Sequence, residues 1–517
     1  MPASGARRAW PGAHPDDDSH GSTRARGSTL EMLSSARRTV PPFLMPLAPP
    51  VLVVGLTAVL LIPSLALGQL RSVAGLLAFL FFAAATYYQP VPAVLLAILL
   101  STDVLKFVDL SYLPYVQLGV GARINALDTL LLLLAAFALL RLRQRGERPL
   151  FLRSLQLLGT MVVLSFVLGL AAGTTTVNQG LNGLRALSGY LFYIGFVGVM
   201  DTPRKVTWLL RGLFVLALVS VAVQLLEASL GERLTLPTSS AGEYFGGTKT
   251  VEIDGLTAPY LWNRATGYLF VVLFLAASQA VWTRRLLPAL LAATAVLGFV
   301  VALMRQWYVM ILLGLLTVVL LQRKGRFGTV AGLLLLSLIS SILILGLTSF
   351  GWLSSYPLLD IWFARLGTVA NFQEEAHFIG RVDLWQEQLD LFIRAPLFGY
   401  GPGGVKFLYF SLPFGLADTG MPNTLLQFGI FGWLAIVVII ITYFYHAFQL
   451  LRALPVSPEQ GYVAGLLGAW VGGVAGYSFG FDFFTPTDLT FTLTLSTGLL
   501  MALLDRARVF ANASGHA

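Results

Sequence analysis

Residues 372–404 read FQEEAHFIGRVDLWQEQLDLFIRAPLFGYGPGG, and after a short apolar tether residues 421–432 read MPNTLLQFGIFG at the mouth of the next hydrophobic run. Acids, arginines, a histidine and a glycine-rich turn gather here, between apolar runs near 328–350 and 424–446, in a chain that is otherwise largely apolar. An apolar run of ~20 residues is what an α-helix needs to cross ~30 Å of hydrocarbon, so the interruption reads as a loop between membrane spans. It is expected to lie over the extracytoplasmic mouth of a helical bundle and to help build a site there.

Composition points the same way. Of 517 residues, 56% are hydrophobic and 11% charged, and the mean hydropathy is +0.77. A soluble domain carries roughly 25% charged residues, too many for this chain to match. Backbone polar groups in lipid must be satisfied internally, so repeated apolar runs imply helices, and the alternation of an outer-membrane barrel is absent. The chain has no cysteine, which excludes disulfides, thiolate metal sites and cysteine nucleophiles. A net charge of +9 on such a chain fits cytoplasmic loops facing anionic lipid, not nucleic acid.

Taken in order, residues 1–40 are polar and basic and read as a cytoplasmic tail; His14, Asp16, Asp17, Asp18 and His20 in it read as a solvated cluster before a metal site. Spans are expected near 51–68, 72–88, 91–106, 126–141, 151–172, 184–200, 206–228, 266–283, 287–304, 308–321, 328–350, 424–446, 461–481 and 487–504. The expected fold is thus an all-α polytopic membrane protein of about 14 transmembrane helices over 41–506, with a cytoplasmic C-terminal tail at 507–517. Alternation places the basic clusters Arg141–Arg148, Arg204-Lys205, Arg284-Arg285, Arg323–Arg326 and Arg506–Arg508 on one side, which the positive-inside rule makes cytoplasmic, together with both termini. Two long loops fall on the other side, at 229–265 and 351–423. Within the second, Val382, Trp385, Leu389 and Phe392 recur at helical spacing, while Asp383, Glu387, Gln388 and Asp390 take other positions. An amphipathic helix at the membrane surface is the expectation, followed by a turn at Phe398–Gly404, where glycine and proline oppose helix.

Charges near spans have both bland and functional explanations. Arg305 sits in a nearly apolar junction, where it either snorkels to headgroups or serves a site. Arg264, Arg381 and Arg394, with Arg123 and Arg185, also fall on the outer side; singly they suit structural pairing, and together they suit a phosphate-binding vestibule, since guanidinium holds phosphate oxygens bidentately. Asp128, five residues after Arg123, and Glu227 read as structural. Glu374, Glu375, His377 and Asp383 flank Arg381 and include candidate general bases. No spacing matches a metal triad, a Walker loop or a dinucleotide fingerprint.

Four segments resemble the bacterial O-antigen ligase and polymerase superfamily of polytopic glycosyltransferases. They are Asn263–Phe270; Met304-Arg305-Gln306-Trp307-Tyr308, with methionine where that family has serine; Gly380–Trp385 running through Pro396–Gly404; and Pro422–Gly432. The resemblance covers about residues 255–450 and implies a fold of the GT-C type with a large late periplasmic loop. It also implies a donor glycan on undecaprenyl diphosphate, a glycan acceptor, and a location in the bacterial cytoplasmic (inner) membrane. By resemblance Arg305 and Arg381 hold the lipid diphosphate. Arg264, Arg394, Gly399, Gly401 and Asn423 are the further substrate-binding candidates, and Glu375 or His377 the candidates to take the acceptor proton. Pro422 stands where the ligases have the histidine that activates the acceptor, which favours polymerisation over lipid A-core ligation. No cofactor and no metal are expected, the partners being membrane lipids and lipid-linked glycans, with no nucleic acid. The competing expectation is a transporter or flippase for lipid-linked glycans or other anionic solutes. Such proteins place charges and broken helices near the midplane, whereas the span centres here are nearly uncharged.

Overall fold

Proline and glycine set the ends of many helices, and hydropathy sets what lies between them. The computed structural model describes residues 83–84, 86–102, 116–117, 123–124, 126–185, 187–230, 250–253, 256–259, 265–283, 285–302, 305–321, 376–403, 420–455, 457–478, 483–484 and 491–513. The tail at 1–40 and the spans expected at 51–68 and 328–350 lie outside the described residues. The helices are α1 (Pro90–Ser101), α2 (Ala126–Arg145), α3 (Leu152–Ala171), α4 (Val177–Arg185), α5 (Ser188–Val199), α6 (Pro203–Leu230) and α7 (Thr266–Thr283). They continue as α8 (Leu286–Val301), α9 (Arg305–Leu321), α10 (Ala376–Arg394), α11 (Met421–Ala453), α12 (Pro458–Ser478) and α13 (Phe491–Ala513). Pro90, Pro203, Pro422 and Pro458 stand in first turns, where a missing N–H costs nothing. Gly146 (φ 67) and Gly173 (φ 69) close α2 and α3 in left-handed caps: Glu147 N donates to Leu142 O at 3.1 Å and Thr174 N to Gly169 O at 2.9 Å.

Leu152–Ala171, Pro203–Glu227, Thr266–Thr283 and Met421–Ala453 are long and apolar enough to cross a bilayer, and shorter apolar helices accompany them, the composition of a helical membrane protein. The helix α7 is apolar on all sides and almost wholly buried, so it forms the centre of the bundle. Its neighbour α12 offers a glycine face. A Cβ on Gly461 would strike Trp282, one on Gly465 would meet Phe274 O at 2.8 Å, and one on Gly468 would meet Gly314 O at 2.8 Å; Gly472 and Gly476 lie equally close to Met310 of α9. Lipid gives no hydrophobic drive between helices, so close backbone approach along small residues holds α7, α9 and α12 together.

The described hydrogen bonds between spans join ends that alternation puts on one side. At the basic end, Arg145 and Lys205 each reach Asp201 at 2.6 Å, Arg506 meets Glu147 at 3.1 Å, and Arg141 donates to Tyr87 O at 2.9 Å. Burial pushes the Asp201 carboxyl up, but the Lys205 and Arg145 cations outweigh it and hold it below the usual carboxylate range. The Asp505 carboxylate accepts from Tyr193 OH at 2.6 Å and from Leu150 N at 2.9 Å.

The span expected at 184–200 is the shorter helix α5, and the polar, glycine-bearing run VNQGLNGLR (177–185) forms a separate helix, α4, ahead of it. The helix α13 continues past 506 through Ala513, since RARVFANA holds no breaker, and Arg506 in it is 2% exposed. The bundle is helical, as expected, and two short antiparallel hairpins lie between its helices: β1 (Val116–Gln117) with β2 (Arg123–Ile124), and β3 (Thr250–Ile253) with β4 (Leu256–Pro259). In the second, Ile253 pairs with Leu256 and Thr250 with Pro259. Glu227 ends the apolar stretch Pro203–Glu227, as expected, and is fully buried three residues before the end of α6.

Candidate functional site

The helix α11 is broken at Gly429, whose φ of 66° and ψ of −170° no side-chain-bearing residue adopts readily. Across that break the helical bonds are exchanged for bonds to the glycine-rich turn. Ile430 N donates to Pro396 O at 2.9 Å and Phe431 N to Leu397 O at 3.3 Å. In return, Leu426 O accepts from Tyr400 N at 2.8 Å and Gln427 O from Gly401 N at 3.0 Å. Two carbonyls and two amides that a continuous helix would pair with each other are thus all satisfied by one turn, as buried backbone requires.

The turn is shaped to come this close. Gly399, Gly401 and Gly403 have φ of 67°, 88° and 72°. A Cβ on Gly399 would lie 2.4 Å from Leu426 O, and one on Gly429 would lie 2.2 Å from Leu397 O. On its other side the turn rests on α3 and α4, where Gly169 and Gly183 leave room: a Cβ at Gly169 would sit 2.7 Å from Tyr400 O, and one at Gly183 2.6 Å from Gly403 N. Three hydroxyls then clamp it. Ser165, fully buried in α3, reaches Phe398 O at 2.6 Å and Gln427 O at 2.7 Å; Thr174 donates to Tyr400 O at 2.8 Å and Thr175 to Pro402 O at 3.1 Å. The cap at Gly173 is what places both threonines after α3.

The half-helix ahead of the break is lined with buried polar groups. Gln427 Nε2 donates to Asn423 Oδ1 at 3.0 Å, and Gly403 N reaches Gln427 Oε1 at 3.4 Å. Tyr477 OH, at the end of α12, donates to Thr424 Oγ1 at 2.7 Å. Pro422 is buried in the first turn, where it presets the backbone for helix.

The helix α10 packs on this half-helix through Leu384, which meets Leu426, with Leu391, Phe392 and Tyr400 around them. Tyr400 OH ties the turn back to Leu391 O at 2.9 Å. Gln388, which lies off the apolar row of Val382, Trp385, Leu389 and Phe392, is 1% exposed, whereas Leu389 of that row is 46% exposed. The seam follows the 384–388–391 spacing, because the half-helix accommodates an amide beside Leu384.

Of the sequence-predicted residues, Glu375 and Arg264 lie outside the described residues. Arg305 begins α9, and His377 and Arg381 fall in the first half of α10; their side chains are likewise outside the described residues, as is that of Arg123, so the pairing with Asp128 is too. Arg394 closes α10 and is exposed. Gly399, Gly401 and Asn423 come together in the assembly at the break, but as its frame: Gly399 N donates to Ala395 O, Gly401 N to Gln427 O, and Asn423 Oδ1 accepts from Gln427. The two turn amides are therefore engaged inside the protein. Near the start of α9, Met310 touches Gly472 and Gly476 of α12, whose Tyr477 bonds Thr424, so the Arg305 end of α9 and the Asn423 end of α11 meet the same end of α12.

Sequence reasoning missed Ser165, Thr174, Thr175, Gln427 and Tyr477. A lone hydroxyl in an apolar span and a threonine run after a glycine are weak signals, though both mark places where backbone elsewhere needs donors. Hydroxyls and amides of this kind hold positions and transfer no protons at neutral pH. Comparison with known protein families finds no match, and comparison with curated proteins finds none.

Proposed function

We propose that this chain is a membrane glycosyltransferase that extends or transfers glycans carried on a polyprenyl diphosphate, at the extracytoplasmic face of a bacterial cytoplasmic membrane. In this reading the chain spans the membrane about fourteen times with both termini cytoplasmic. Arg305 and Arg381 hold and neutralise the diphosphate leaving group, a form of electrostatic stabilisation that commonly dominates such sites. Arg264 and Arg394 assist at the mouth, and His377 or Glu375 takes the acceptor proton. With Pro422 in place of an ionisable group, polymerisation is favoured over ligation. The observation that carries the reading is the docking of the turn on the broken helix, which sets α10, the helix of Arg381, beside the polar half-helix of Asn423.

A broken helix is also a transporter feature, but there the break sits near the midplane. Here Ile430–Ala453 follows the break, about 36 Å of helix at 1.5 Å per residue, enough to cross the hydrocarbon by itself. In this reading the break falls at a membrane boundary, level with the diphosphate of the lipid. Purified protein incubated with a defined polyprenyl-diphosphate glycan is expected to yield lengthened or transferred glycans. Movement of the lipid across liposomes with its glycan unchanged would instead establish the flippase, and neither outcome would remove both readings.

A further inference from the structure

Successive residues of a helix advance by about 100°, which divides α10 into three faces. Leu384, Gln388 and Leu391 face the half-helix, and Gln386, Glu387, Asp390 and Arg394 form an exposed polar face. Between these lies a third face that the bundle does not use. Leu389 is 46% exposed and Ile393 70%, and Leu397, one turn further, is 53% exposed. The third face runs directly into α11: the Phe398 ring packs on Phe431 at 5.3 Å between centroids, and Ile430, Phe431 and Leu434 are each exposed by about two fifths. From there Val438, Ile441 and Tyr445 continue the exposed apolar side of a helix long and apolar enough to span a bilayer.

We propose that Leu389, Ile393 and Leu397 form a lipid-binding surface, sunk among the acyl chains just below the headgroups of the leaflet nearest the break in α11. The occupant is bilayer lipid, because this face is continuous with the membrane-facing side of α11 and is bordered by carboxylates that favour water. An interfacial helix of this kind buries its apolar side to a depth of about 5–10 Å while its charges stay at the surface. Lipid then seats α10 from one side and the half-helix seats it from the other. The helix carrying Arg381 is thereby held at headgroup level. The surface itself rests on the membrane-protein reading and not on glycosyl transfer.

The chain contains no cysteine, so single cysteines can be spin-labelled without background. Leu389→Cys, Ile393→Cys and Leu397→Cys are compared with Glu387→Cys and Asp390→Cys, and with Ile441→Cys as the spanning reference, in nanodiscs of phosphatidylethanolamine and phosphatidylglycerol. The ratio of collisions with oxygen to collisions with a water-soluble nickel chelate is expected to be several-fold higher at 389, 393 and 397 than at 387 and 390. A ratio at 389, 393 and 397 no higher than at 387 and 390 would overturn the proposal by placing the face in water. Low accessibility to both reagents would overturn it equally, by showing a second copy or another part of the chain on this face. All five α10 and turn positions are exposed, so labels there leave the fold intact, and unchanged melting of each variant verifies this. Activity is not read, so failure here leaves the glycosyltransferase reading standing, and the reverse also holds.

Discussion

Gly429→Ala is expected to unseat the glycine-rich turn and to lower the melting temperature of the purified protein markedly. The new Cβ would lie 2.2 Å from Leu397 O, in a backbone conformation at φ 66° that disfavours any side chain. Holding alanine there costs about 1–3 kcal/mol of strain before the clash is counted. The least costly relief is for α11 to straighten, returning the Ile430 and Phe431 amides to Leu426 and Gln427. Tyr400 N and Gly401 N then lose their acceptors, each at about 1–3 kcal/mol. Limited trypsin digestion reads the same event, since Arg394 is exposed at the end of α10 and is braced by the turn that follows. Cleavage after Arg394 should be much faster in Gly429→Ala. Gly399→Ala, whose Cβ would fall 2.4 Å from Leu426 O, should behave in the same way. Wild-type melting and wild-type cleavage in both variants would contradict the exchange of bonds.

The second large effect concerns chemistry. Arg305→Ala and Arg381→Ala are each expected to abolish glycan chain growth, with a loss of at least about 10²-fold, the usual consequence of removing a group that stabilises developing negative charge. Lysine should restore little, because an ammonium cannot hold two phosphate oxygens in a planar fork. The measurement is the length distribution of products made by membranes containing equal amounts of each variant. Wild-type lengths in either alanine variant would remove the arginines from the mechanism.

Hydropathy and proline placement made the outline of the bundle legible. The predicted span at 266–283 coincides with α7, and pairings such as Arg145 with Asp201 and Tyr477 with Thr424 follow the alternation of sides. What stayed hidden were the places where one segment completes another. Nothing in GIFG (429–432) distinguishes a break from a packing glycine, because the break exists only when a turn some thirty residues earlier supplies its bonds. The burial of Gln388 stayed hidden for a related reason: a buried amide looks, in one dimension, like a solvated one. Ser165 was passed over since a single hydroxyl costs a membrane helix little and declares no partner. The glycines of the turn were legible as a turn, but their amides read as ligand donors until their protein acceptors were in view.

Four amides report most directly on the assembly that sets α10 against the half-helix. In hydrogen–deuterium exchange of the protein in nanodiscs, Tyr400, Gly401, Ile430 and Phe431 are expected to be protected together and to exchange together on warming, because each bond of the exchanged set depends on the others. Protection of Ile430 and Phe431 with Tyr400 and Gly401 exchanging at the rate of open chain would mean a continuous α11 and a free turn, and would contradict the account.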